Sequence, residues 1–250
     1  MAAFRNNEDG FVLITAIWLL ILCGAVAALL LARSLSAATA VAADAEALRT
    51  KLARDAAIET VMADLLINGR RSPFAMLPTE GIVTIGEQEV RVRIGSESGK
   101  LDLNEGDLAL IDRVMAGLGW DSAARALFAQ QLRTRREAGQ PLRSPHELRF
   151  IAARSRPDSD DPCLEAYFTV HGGRPEPDPA FTDAELSRLL GRPPMTEGNG
   201  PQPAGAGTPL RIEASIDNGA ARTAVLRIGG LLEQPVTISS WQDGRLCDGP

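Results

Sequence analysis

Few residues in this chain are equipped for chemistry. There are two histidines, His146 and His171, and three cysteines, Cys23, Cys163 and Cys247. Cys163 and His171 are the pair that could act as thiol nucleophile and base. They stand eight apart in a Pro/Asp-rich stretch with no evident group to orient the ring, so catalysis is not expected. Asp158, Asp160, Asp161 and Glu165 form a denser group at i, i+2, i+3 and i+7. Hard carboxylate oxygens so spaced on a loop could hold calcium. The stretch lacks the turn glycine of an EF-hand, and a solvated acidic turn is the other outcome. In an oxidising compartment Cys163 and Cys247 could form a disulfide; otherwise they are two thiols. Cys23 lies inside an apolar run.

That run is the most distinctive feature of the chain. A polar leader, Met1 to Gly10, gives way at Phe11 to 21 uncharged residues ending at Leu31. At ~1.5 Å per residue the run makes a helix of about 30 Å, the thickness of a bilayer's hydrocarbon core. A cleaved secretory signal is one alternative, with Ala38-Thr39-Ala40 as its site. The apolar run exceeds the usual ~7–15 residues of such signals, and Glu8 and Asp9 stand where positive charge belongs. An ordinary anchor explains the span but leaves Gly10–Phe11 as coincidence.

The elements around these residues follow from their patterns. No proline precedes Pro73, and the sequence after Leu31 is Ala-rich and charged, so the helix is expected to continue to Ile67. Ile58, Val61, Met62 and Leu65 give its second half one buried stripe, and Asn68-Gly69 supplies the stop. Alternation predicts a hairpin over 82–85 and 89–94. Asn104, Asp121, Ser144 and Thr182 each read as the cap of a following helix. Residues 193–208 are rich in Gly and Pro and read as a linker. Strands return from Leu210, with Arg211, Glu213 and Ser215 on the face opposite Leu210, Ile212 and Ala214, and Asn218-Gly219 as a hairpin turn. The fold class is α+β. A long N-terminal helix (transmembrane over 11–31, continuing over 32–68) packs on an antiparallel sheet (78–98 and 209–242). A helical insertion over 99–192 interrupts that sheet.

A leader ending in Gly, a Phe opening the mature chain, an N-terminal span continuing as a long helix and a sheet packed on it resemble a type IV pilin or pseudopilin. The resemblance implies cleavage by a prepilin peptidase after Gly10 and methylation of the new N-terminal Phe11. The family usually has Glu at the fifth mature position, thought to neutralise the terminal amine of the subunit above. Here that position is Thr15. The minor pseudopilin K of type II secretion also lacks this Glu and carries a large helical insertion. Ser98-Gly-Lys-Leu-Asp-Leu-Asn104 resembles the stretch that opens it. The K family also has calcium sites in that insertion. The resemblance implies a non-enzymatic, single-pass inner-membrane protein with cytoplasmic N-terminus and periplasmic body. Its partners would be I- and J-like minor pseudopilins, the inner-membrane assembly platform and the peptidase. An unpaired carboxylate in hydrocarbon costs several kcal/mol, so a neutral Thr15 suits a subunit with none above it, at a filament tip.

A rival reading uses the insertion. Leu108 to Leu127, with Gly117-Leu-Gly119 at its centre, resembles a SAM-like or helix-hairpin-helix unit, as in membrane-anchored DNA receptors. Such units grip the phosphate backbone with hairpin amides. No second hairpin follows Leu148. Glu105, Asp107, Asp112 and Asp121 crowd the segment, and the net charge of −6 offers no general attraction to nucleic acid. A generic anchored periplasmic adaptor is the third possibility.

Overall fold

The computed structural model describes residues 8–148, 163–193, 201–216, 220–229 and 235–245. The chain divides into two units, Met1–Lys51 and Leu52–Pro250. Helix α1, Glu8–Asn68, contributes to both. Helical geometry thus starts three residues ahead of Phe11.

In the first unit every described side chain from Leu13 to Arg49 is exposed. A helix of a water-soluble body hides its apolar residues along one stripe, whereas this one is apolar all round and its described side chains are exposed. By length and composition it could cross a membrane. The next charge after Asp9 is Arg33, and the next acid is Asp44.

In the second unit α1 becomes one-sided. Ala53, Ala57, Ile58, Val61 and Leu65 are buried, and Met62 is partly so. Small residues at 53 and 57 let the helix backbone approach the sheet, while Ile58 and Val61 fill the space beside them. The strands are β1 (Met76–Leu77), β2 (Thr79–Ile85), β3 (Gln88–Ser96), β4 (Leu101–Asp102), β5 (Phe168–Thr169), β6 (Gln202–Pro203), β7 (Pro209–Ser215), β8 (Ala220–Ile228) and β9 (Val236–Arg245). The main sheet is antiparallel, in the order β2-β3-β7-β8-β9. Val90, Val92 and Ile94 of β3 and Leu210, Ile212 and Ala214 of β7 meet the helix. A polar lock fixes its register: Asp55 accepts from Arg222 Nε at 2.7 Å and from Trp241 Nε1 at 3.0 Å. Arg222 also pairs with Asp243 and lies 6.0 Å over the Trp241 ring.

β3 and β7 are hydrogen-bonded neighbours, yet the whole insertion lies between them in sequence. It contains α2 (Leu108–Gly117) and α3 (Ser122–Glu137), a single helical turn over Leu164–Tyr167, and a short helix over Ala184–Leu189. These elements bury their own core around Leu101, Leu103, Ile111, Met115, Phe128, Leu132 and Leu186. Among the described residues, no side chain belongs to both this core and the helix–sheet core.

The expected α+β class, the long helix, the strands and the insertion are all present. Several local expectations need correction. Asp107, not Asn104, caps α2, accepting from Ala109 N at 2.8 Å. Asn104 is occupied elsewhere, with its amide clamped on the backbone of Leu142. Asp183, not Thr182, caps the short helix, because the Thr182 hydroxyl donates back to Asp178 O. Ser144-Pro-His-Glu147 opens a 3-10 turn, Pro145–Leu148. The linker contributes β6, which pairs with β1. On the face of β7 opposite Leu210, Ile212 and Ala214, Glu213 and Ser215 are 7% and 2% exposed. The Asn218-Gly219 turn lies outside the described residues.

Candidate functional site

Two regions carry the features with functional content. The first is the amino-terminal part of α1. Gly10 and Phe11 lie in helical backbone, and Thr15 is exposed among exposed apolar neighbours. Leu13, Trp18 and Leu20 are each at least 64% exposed.

The second region is the seam where the insertion leaves and rejoins the sheet. It is built from Ser98-Gly-Lys-Leu-Asp-Leu-Asn104. Ser98 takes its turn from Ser96, whose hydroxyl accepts the Ser98 N–H, and its carbonyl accepts from Asp178 N at 2.8 Å. Gly99 presses against the opposite strand of chain. A Cβ there would sit 2.1 Å from Phe181 O, so only glycine fits. Leu101 and Leu103 enter the insertion core. The buried Asp102 carboxylate accepts from the amides of Asn104, Glu105 and Gly173, the last of them 71 residues along the chain. Arg136 of α3 closes the motif with two bonds to Leu103 O.

Beside this motif lies a buried charge cluster. Arg211 of β7 bonds Glu165 of the Leu164–Tyr167 turn and Glu213 of its own strand, each at 2.6 Å. It lies 4.0 Å from Glu97. Glu97 also pairs with Lys100 at 2.6 Å and accepts from the Thr169 hydroxyl. Burial by itself would raise the Glu97 carboxyl, but Lys100, Arg211 and Thr169 together hold it below the ordinary value. Arg211, though buried, is held protonated by the same three carboxylates. His171 follows Thr169. Its carbonyl accepts from Arg227 of β8, and burial depresses its ring pKa against the pull of Glu97 and Asp102.

Sequence reasoning missed this cluster. It placed Arg211 and Glu213 on the face of their strand opposite Leu210 and Ile212, and Glu165 in an acidic group that could hold calcium or stay solvated. No local spacing links Glu97, Glu165 and Arg211; only the fold does. Glu165 gives an oxygen to Arg211, and it is 6% exposed. Asp158, Asp160 and Asp161 lie outside the described residues. Among those described, no group of three His, Cys, Asp or Glu side chains is gathered as metal ligands would be. Cys163 is disulfide-bonded, so its sulfur is not a thiol nucleophile for His171. Cys23 is free, and Cys247 lies outside the described residues.

The Gly117-Leu-Gly119 segment turns the chain from α2 into α3, with Gly119 at φ +79°. Its amides are spent internally, however. Leu118 N–H donates to Val114 O, Gly119 N–H to Ala116 O and Trp120 N–H to Met115 O. Asp112, beside it, pairs with Arg125. A phosphate at the hairpin would meet donors already bonded and a local excess of carboxylates.

No family model matches the chain, and no curated protein matches it.

Proposed function

We propose that this chain is a minor pseudopilin of a type II protein secretion system, of the K type, without enzymatic activity. The observation that carries the reading is the combination of a bare apolar helix with its direct continuation into the buried stripe of an antiparallel sheet. That sheet is interrupted between adjacent strands by a separately cored helical insertion. An element apolar on all sides suits lipid first and the helices of neighbouring subunits afterwards, so anchor and interface are one and the same. In this reading a prepilin peptidase cuts after Gly10 and methylates Phe11. The body is periplasmic on the inner membrane, and I- and J-like partners pack along the helix to start or cap a short filament. The neutral Thr15 fits a subunit with nothing stacked above it.

Intact-mass measurement of the protein extracted from membranes tests this. The expected result is a chain starting at Phe11 and heavier by one methyl group. A chain that keeps Met1 to Gly10, or one starting at Val41, overturns the proposal.

A further inference from the structure

Cys163 is disulfide-bonded, and the chain has three cysteines, of which Cys23 is free. The fold indicates where the second sulfur comes from. Cys163 opens the Leu164–Tyr167 turn, whose Glu165 accepts from Arg211 of β7. Arg211 lies on the face of β7 turned away from α1, and its Nε bond to Glu213 leans the side chain along the strand toward Ser215. Ser215 pairs with Ala221 of β8, and Ala221 with Gly244 of β9. The turn is thus carried toward the end of the sheet at which the chain leaves β9.

That end of the sheet is roofed on the same face. Ser215, Ala221, Thr223 and Val225 are each at most 2% exposed, although they alternate with the residues that meet α1, and Ala221 and Val225 belong to neither apolar core. A Cβ on Gly244 would lie 3.7 Å from Thr223 Oγ1, which puts Gly244 on this face too. A glycine inside a strand marks a place where another segment of chain passes close. Cys247 follows Arg245, the last residue of β9, by two positions, a reach of about 7 Å. A disulfide spans roughly 5.5–6 Å more between Cα atoms.

We propose that Cys163 is bonded to Cys247, that the bond staples the end of edge strand β9 to the turn lying over β7 and β8, and that it marks the second unit as standing on the oxidising side of the membrane. The inference does not depend on the secretion role. The bond forms as two thiols give up two protons and two electrons to the disulfide of an oxidoreductase, which leaves as a dithiol. Such bonds persist outside the cytosol and are reduced within it. Strand β9 is where a covalent tie has most effect. It is at the edge of the sheet, and its ladder with β8 is interrupted by a register shift at Val225/Leu226. Asp55 of α1 holds Trp241, but the described residues beyond it pair with β8 alone.

The test uses the full chain in membranes, denatured with a maleimide polymer that retards the chain on a gel by one step per free thiol. Wild type should take one label, at Cys23, and three once reduced. Cys163→Ser and Cys247→Ser should each take two without reduction, because each frees the other's thiol. In spheroplasts, a reductant that cannot cross lipid should open the bond before lysis. Hydrogen exchange on the wild-type chain in detergent micelles reads the staple itself. After reduction, amides of residues 242–245 should exchange about tenfold faster or more, while those of β3 stay unchanged. Three labels on unreduced wild type, a disulfide-linked dimer, a Cys247→Ser chain that still takes one label, a bond opened only after lysis, or exchange at 242–245 indifferent to reduction would each overturn the proposal. None of these outcomes depends on where the mature chain begins, so the secretion role stands or falls separately.

Discussion

At the scale of single residues, position outweighs type. Lys100, Asp102 and Asn104 are three polar residues within five positions, and each is committed to a partner far along the chain or to a buried charge. Gly99 shows how narrow the tolerance is. Gly99→Ala would drive a methyl group into the Phe181 carbonyl, a backbone atom that cannot rotate away. The expected cost is about 2 kcal/mol or more, in the range of overpacked cores, read as a lower denaturation midpoint with unchanged slope. Gly69 and Gly86 offer a control. They are open to a Cβ, and any penalty there comes from their positive φ alone.

At the scale of elements, helix α1 is held to the sheet by packing more than by its own propensity. Ile58 is fully buried against the sheet, so Ile58→Ala should destabilise the body by about 2–5 kcal/mol, measured by chemical denaturation. The same stripe was legible in sequence because Ile58, Val61 and Leu65 keep helical spacing, and the strands were legible because apolar residues alternate in them. What was illegible depended on contacts between distant segments. The caps at Asp107 and Asp183 were each displaced from their expected residue because Asn104 and Thr182 have partners elsewhere, Asn104 on Leu142 thirty-eight residues on. Alternation separated the two faces of β7 but could not say that Glu213 and Ser215 would be buried. Gly10 and Phe11 stood out as the edge of the apolar run and Thr15 through the family resemblance, whereas the Arg211 cluster had no local signature.

At the scale of the whole molecule, the placement of the insertion sets an order of events. Ser96 and Pro209 end and begin strands that must pair, but everything from Glu97 to Thr208 separates them. Closing so long an unstructured excursion costs entropy that no single strand pair repays, and the cost grows with the logarithm of its length. Once Asp102 has gathered Asn104 and Gly173, and Leu101 has paired with Phe168, most of that excursion is already closed. The economical route therefore assembles the excursion first and lets the sheet zip afterwards. Pulse-labelled refolding should find amides of α2 and α3 protected before those shared by β3 and β7. Until its middle third has found itself, the chain would hold an open sheet edge, a window in which a neighbouring strand could take the vacant place.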